Sequence, residues 1–386
     1  MTRRLAALFL STCLLGAGAA HAQTPPAPEI AARGYLLVDL TANQVLAEHN
    51  ADAPAEPASL TKLMTAYVVF QALRDKKITL NQRMTVSDRA WTERKHGGSL
   101  MFLEPRMTPT VDELLKGMIV QSGNDAAVVL AEGVAGTVEA FVARMNEQAK
   151  AWGLKNTQFR NVTGLTEAGH GSTARELALI AQQIVRDFPD RYAAYYSMKE
   201  YSYGGIRQEN RNLLLKRDAS VDGMKTGFTD AAGYCLIASA QRNAEHGPRR
   251  LLSVVMGTAS MQARANESQK LLNWGYTAYE AVPMFKTTPV LTTVPVWKGK
   301  LNEVKLGSSG TVFVAVPRGQ GQQLKTTLTR TDPLVAPLTK GQRVGTIRVL
   351  TGSNVPMVDL PLLVQEDVPQ AGMFGRAWDA LRLWLK

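Results

Sequence analysis

A chain of 386 residues is long enough to bury a large core and to form more than one domain. Its formal net charge of +11 favours anionic surfaces such as phospholipid heads or cell-wall polymers, and no basic, aromatic-laced motif points to nucleic acid. His49, His96, His170 and His246 are scattered without metal-ligand spacing, so neither a metal nor any other cofactor is expected.

At the start, Arg3 and Arg4 precede an apolar run from Leu5 to Leu15, and Ala20-His21-Ala22 supplies a small-x-small cleavage site. Residues 1–22 therefore read as a secretory signal, with a Pro/Ala-rich flexible lead-in over 23–29. The run is too short to cross a bilayer as a helix, and no later stretch has about 18 uninterrupted apolar residues. Loss of Arg3 and Arg4 lowers the net charge from +11 to +9 and leaves Cys235 as the sole cysteine, which excludes an intramolecular disulfide despite export. Cys235 lies in an apolar run from Tyr234 to Ala238 and reads as a buried strand residue.

Gly34–Leu40 reads as a strand, turned at Thr41–Asn43 into a hairpin partner over Gln44–Glu48. Apolar residues at 60, 63, 64, 67 and 70 predict a largely buried helix from Ser59 to Leu73. Two helical patterns, Val111–Val120 and Asp125–Val134, flank a corner at residues 121–124. A further helix is expected over Ala174–Val185, capped by Ser172 or Thr173. Two apolar strands follow at Tyr234–Ala240 and Leu251–Met256, then a closing helix at Glu267–Ala281. This order predicts an α/β (α+β) domain, residues 30–282, in which a sheet with neighbouring termini sits beside a helical lobe. From 283 to 369 short Val/Thr-rich runs alternate with Pro and Gly clusters, the pattern of a separate small β domain. Residues 370–386 form an amphipathic helix. Met373, Phe374, Ala377, Trp378, Leu381, Trp384 and Leu385 share one face, while Arg376, Asp379, Arg382 and Lys386 occupy the other. Paired aromatics on a short basic helix suit a membrane interface; the alternative is a helix docked on the β domain.

Three short motifs carry the chemistry: Ser59-Leu60-Thr61-Lys62, Ser122-Gly123-Asn124 and Lys225-Thr226-Gly227. A serine hydroxyl needs a base, and Lys62 lies one helical turn from Ser59 on the same face. Acting as base requires a neutral amine, and lowering a lysine from its ordinary value near 10.4 calls for burial and a like charge, which Lys225 can supply. Ser122 would relay a proton, and the Asn124 amide would hold Lys62 or a substrate amide. Lys225 and Thr226 would offer a cation and a hydroxyl to a substrate carboxylate, and Gly227 would let substrate backbone lie close to a strand. Each motif alone has an ordinary structural reading, as helix cap, turn or strand end. All three in order behind an export signal indicate acyl transfer through a serine.

This set, with the segments Pro57–Ala66, Ser99–Leu103, Gln121–Ala127, Asn161–Leu165, His170–Arg175 and Val221–Thr229, resembles the low-molecular-mass penicillin-binding proteins of the D-Ala-D-Ala carboxypeptidase family. The resemblance runs from about residue 30 to 370. It implies a transpeptidase/β-lactamase-like catalytic domain and removal of the terminal D-alanine from peptidoglycan pentapeptide stems through an acyl-serine. It also implies covalent inhibition by β-lactams, no metal, and a periplasmic enzyme held peripherally at the inner membrane. By the same resemblance the backbone N–H groups of Ser59 and Phe228 would form an oxyanion hole. Arg264 would be an extra carboxylate anchor, its ordinary alternative being a surface charge. Phe228 departs from relatives that carry His or Thr there.

Three rival functions share parts of this pattern. A class A β-lactamase needs a deacylating glutamate in an E-x-x-x-N loop, and Glu167, Glu176 and Glu209 do not sit in one. A D-Ala-D-Ala endopeptidase would usually lack the C-terminal domain. A catalytically dead cell-wall-binding protein would not be expected to keep Ser59, Lys62, Ser122 and Lys225 together. The sequence leaves the oligomeric state open.

Overall fold

The computed structural model describes residues 26–286 and 290–385. The expected export signal therefore lies outside the described residues, as do positions 23–25 of the lead-in and Lys386.

Gly34–Asp39, Gln44–His49, Val221–Thr229, Gly233–Ala244 and Gly247–Thr258 form one antiparallel five-stranded sheet. The last strand pairs with the first, with Leu37 opposite Ser253, so the two ends of the domain meet in the sheet centre. Both faces are covered, which explains why these strands read as nearly continuous apolar runs. Leu36, Val38, Cys235, Ile237, Leu252 and Val254 face the main helical core, while Leu37, Leu236, Ala238, Leu251 and Val255 face the closing helix. This is the period-two alternation of a strand, apolar on both sides.

The helical lobe is built from Lys62–Arg74, Val111–Val120, Asn124–Ala135, Val138–Ala151 and Ala174–Asp187. Their starts are set by local chemistry. Thr110 and Glu113 make a reciprocal capping box, and Thr173 Oγ1 accepts from Glu176 N at 3.1 Å. The Val138–Ala151 helix had no counterpart in the pattern reading; it buries only Val138, Phe141, Met145 and Ala149, between charged positions.

The closing helix differs from its expected bounds, running from Met261 to Ala278. Ser260 caps it, accepting from Ala263 N at 3.0 Å, and so fixes its start ahead of the first clearly apolar turn. After Ala278 the chain becomes extended, and Tyr279–Met284 pairs antiparallel with Val312–Pro317. The helix end leaves carbonyls without intrahelical partners, and two arginines supply donors. Arg249, ion-paired with the buried Asp39 at 2.7 Å, donates to Gly275 O and Tyr279 O at 3.3 and 2.6 Å. Arg318, from the β domain, donates to Tyr276 O and Thr277 O at 2.8 and 3.1 Å. The junction between the two domains is thus a shared helix cap.

The small domain holds a six-stranded sheet around Val294, Val304, Leu306, Ile347, Leu362 and Val364. Two of its strands, Glu303–Gly307 and Leu334–Val335, were not apparent as apolar runs. The terminal helix, Met373–Trp384, turns its polar side to this domain. Asp379 Oδ2 accepts from Lys298 N at 2.6 Å, and the Arg382 guanidinium lies 5.6 Å from the Trp297 ring centre. Its apolar side faces outward, with Phe374 93% and Trp384 82% exposed.

Candidate active site

Ser59 sits in a 3-10 turn, Ala58–Thr61, that runs directly into the Lys62–Arg74 helix. The turn presses against the outermost strand of the sheet, Val221–Thr229. A Cβ on Gly227 would lie 3.1 Å from Ala58 Cβ, 3.2 Å from Pro57 O and 3.3 Å from Ser59 N. The glycine is therefore needed for the close approach of the protein's own nucleophile turn. Across the turn, a Cβ on Gly164 (φ +85°) would strike Ala58 O, so the 161–165 loop also packs directly on it.

Lys62 is 1% exposed, and its ammonium group is tied at three points: Ser59 Oγ at 3.0 Å, Asn124 Oδ1 at 2.7 Å and Thr163 O at 2.7 Å. Burial pushes its pKa down to about 7; Glu93 and Asp125 oppose the shift, and Arg211 adds to it. Arg211 is thus a like charge acting on Lys62 beside the expected repulsion between Lys62 and Lys225, which acts on both amines. Lys225 is itself buried and held well below the ordinary lysine value, by burial first and by Lys62 next. It donates to Ser122 Oγ at 2.9 Å and to Thr226 O at 3.2 Å. Ser122 occupies a left-handed conformation at φ +64°, a strained choice for a residue with a side chain, and one that accompanies functional sites.

Of the two roles expected for Asn124, the structure realises the one toward Lys62. Its Nδ2 donates to Gly97 O at 3.4 Å, and its backbone N to Ser99 O at 2.8 Å. The neighbouring Asp125 carboxylate accepts from Met101 N and Leu103 N at 2.8 and 2.9 Å, fixing the segment that forms the facing wall.

These groups open into a cleft of about 250 Å³. Ser59, Ser122, Asn124, Thr226, Arg211 and Arg264 line it, and no aspartate or glutamate does. Arg264 is 2% exposed, not a surface charge. It donates to Gly227 O at 2.9 Å, and burial lowers its pKa to about 10. Lys225 is not part of the lining and reaches the cleft through Ser122 and Thr226. Three contributors went unassigned in the sequence: the Thr163 carbonyl, Arg211, which bonds Ser99 Oγ, and Asp125. Among the described residues, no group of three or more His, Cys, Asp or Glu side chains could hold a metal ion.

A Ser–Lys–Ser–Lys constellation with both lysines buried, on a five-stranded sheet flanked by helices and with the three motifs in this order, defines the class of penicillin-binding proteins and serine β-lactamases. Comparison with known proteins narrows the class. The profile of the D-alanyl-D-alanine carboxypeptidase family matches residues 20–260, and that of the penicillin-binding protein 5 C-terminal domain matches residues 279–370. The chain is 47% identical over 363 residues to the D-alanyl-D-alanine carboxypeptidase DacC of Escherichia coli, covering 92% of this chain and 89% of the relative. It is 42% identical to DacA of the same organism, over 98% of this chain and 95% of the relative. Penicillin-binding protein 5 of Haemophilus influenzae superposes with a TM-score of 0.84 at 38% identity, covering 90% of this chain and all of that one. The chain belongs to the D-alanyl-D-alanine carboxypeptidase family.

Proposed function

We propose that Ser59, Lys62, Ser122 and Lys225 perform the serine-type D-Ala-D-Ala carboxypeptidase reaction of this family on peptidoglycan stem peptides. One observation carries the assignment of roles: the buried Lys62 amine, its pKa lowered to about 7, lies 3.0 Å from the Ser59 hydroxyl. A base half neutral at working pH balances availability against proton affinity.

The terminal carboxylate enters a cleft with two arginines and no acid, and bonds Thr226 and Arg264. Lys62 takes the Ser59 proton as Oγ attacks the penultimate carbonyl carbon. The backbone N–H groups of Ser59 and Phe228 receive the developing oxyanion. The C–N bond breaks, and the departing D-alanine amine takes the proton that Lys62 had accepted, relayed through Ser122, which Lys225 polarises, so that Lys62 is neutral again. Water, losing its proton to Lys62, then attacks the ester, and Ser59 regains a proton. A lactam ring enters the same path, but its leaving amine stays tethered, so the acyl-enzyme persists.

In this reading residues 30–282 are the catalytic domain, residues 283–369 a spacer, and residues 370–386 a membrane anchor whose Met373–Trp384 helix lies on the outer leaflet of the inner membrane. The outward apolar face of Met373–Trp384, with its polar side occupied by the β domain, favours a membrane contact over docking on that domain. Incubation with a labelled penicillin followed by peptide mapping tests the nucleophile, with the adduct expected on Ser59; an adduct elsewhere overturns it. Mass spectrometry of a muropeptide digest tests the reaction. Loss of one alanine with cross-links intact is expected, whereas loss of cross-links would mark an endopeptidase.

A further inference from the structure

Two side chains and one main-chain carbonyl hold the Lys62 amine, and what aims the carbonyl lies outside the three motifs. The amine donates to Thr163 O at 2.7 Å. One turn further along the same helix, Thr65 Oγ1 donates to the preceding carbonyl, Val162 O, at 2.8 Å. Two successive carbonyls of one loop are thus bound by the helix that carries the base.

Asn161 folds that loop. Its Oδ1 accepts from Gly164 N at 2.7 Å, Thr163 N at 3.2 Å and Thr163 Oγ1 at 3.3 Å, while its Nδ2 donates to Leu165 O and Glu167 Oε2, each at 3.0 Å. This is an Asx turn, in which a side-chain carbonyl takes the place of backbone, closed at its far end by the other half of the amide. The partners fix the amide's orientation, because exchanging O and N would set an NH2 group against two main-chain N–H donors. Gly164, at φ +85°, completes the turn, and with Leu165 it lines the cleft. Any residue offers a carbonyl, but only a folded loop offers it at a fixed place.

We infer that Asn161 is a positioning residue for the acylation base: its amide folds residues 161–167 so that the Thr163 carbonyl meets the Lys62 amine and the loop keeps water from it. The inference rests on the proposed role of Lys62. Burial is the first cause of that lysine's lowered pKa, ahead of every charge. The charged groups around it, Glu93, Asp125, Arg211 and Lys225, lie outside the loop. On the loop's own side Arg160 and Glu167 are exposed, and His170 faces Thr61. Loosening the loop therefore changes the hydration of Lys62 and not the charges around it. Rehydration raises the pKa more than the loss of one carbonyl acceptor lowers it, since burial is the larger cause.

The test follows acylation of Ser59 by a labelled penicillin from pH 5 to 10 in the wild type, Asn161→Ala and Asn146→Ala. Asn146 is the matched control. Its Nδ2 donates to Phe159 O and its Oδ1 accepts from Phe159 N, both at 2.9 Å, so it pins the entry to the same loop without touching residues 161–167. Both alanine variants should lower the melting temperature. In Asn161→Ala the midpoint of the rising limb should move up by about one pH unit, an approximately tenfold slower acylation below pH 7, and in Asn146→Ala it should stay in place. Asn161→Ser keeps a weaker turn acceptor and should move the limb about half as far; it carries the comparison if Asn161→Ala does not fold. A limb unmoved in the Asn161 variants, or moved equally by Asn146→Ala, overturns the inference and leaves Lys62 as the base. No adduct on Ser59 of the wild type overturns the proposed function and the inference with it.

Discussion

The cleft and the terminal helix invert the usual partition of residues in opposite directions. In the cleft, Lys62 and Lys225 are buried, while on the Met373–Trp384 helix Phe374, Trp378 and Trp384 are exposed. Charged groups are almost never buried unless paired, yet no carboxylate hydrogen-bonds either lysine. Their partners are hydroxyls, an amide and main-chain carbonyls. These neutral acceptors hold the amines in place without stabilising their charge as a carboxylate would, and the pKa falls. On the helix Phe374 and Trp384 are left largely uncovered by the described residues, which suits the membrane contact proposed for them. Burial among neutral hydrogen-bond partners prepares a base, and exposure of an apolar face leaves it open to a contact.

The largest expected effect comes from restoring a permanent charge at Lys62. Arginine keeps a positive group but cannot become neutral at working pH. Lys62→Arg should lower second-order acylation by a labelled penicillin by about three orders of magnitude or more, while circular dichroism shows a folded protein. Near-native acylation would remove Lys62 as base.

On the other side of the comparison, truncation after Gly372 retains the Gly299–Gln370 bridge and the Ala371 N to Lys298 O bond of the β domain. It removes the exposed aromatic face. Full burial of Phe374, Trp378, Leu381 and Trp384 is worth about 1.5–3 kcal/mol each, much of it offset by partial insertion and helix ordering. Co-sedimentation with anionic vesicles in low salt should drop about a hundredfold, with turnover of small D-Ala-D-Ala peptides intact. Equal sedimentation of the two forms would count against the anchor.

A third prediction separates burial for chemistry from burial for structure. His170 is buried and sits between Arg160 N, which donates to its Nδ1 at 3.0 Å, and Thr61 Oγ1, 2.8 Å from its Nε2. With Nδ1 accepting, Nε2 carries the proton, so the ring is neutral. Burial lowers its pKa from 6.5 to about 4. The unfolded chain therefore binds the extra proton first, and stability falls as pH drops through the window from 6.5 to 4. The full loss is about 3 kcal/mol, reached below pH 4. His170→Gln should flatten the dependence of the melting temperature on pH in that window. An unchanged slope would assign the acid sensitivity to other groups.

Much of the site was legible because it is made of side chains at helical or strand spacing. Ser59 and Lys62 fall on one turn, and Lys225 and Thr226 lie on the outermost strand, as the motifs implied. The illegible part is main chain and tertiary contact. Thr163 acts through its carbonyl, which any residue would offer, and Arg211 approaches the cleft from a segment following the polar Glu200–Tyr203 and Ile206–Glu209 hairpin, which carries no apolar alternation. Gly227 was read correctly as a close-approach residue, but the sequence could not say that the approaching group was the Ser59 turn. The closing helix was read late because its first turn, with Gln262 and Arg264, is polar in sequence; Arg264 is nevertheless buried by the strand carbonyl it serves.

The central claim is that burial among neutral hydrogen-bond partners makes Lys62 the base, and the pH dependence of Ser59 acylation tests it most directly. Because the lysine must be neutral to accept the Ser59 proton, the second-order rate constant should rise about tenfold per pH unit below its folded pKa of about 7 and level off above it. A labelled penicillin followed from pH 5 to 9 would give that profile. A rate independent of pH across this range, or one still climbing toward the ordinary lysine value near 10.4, would contradict the account.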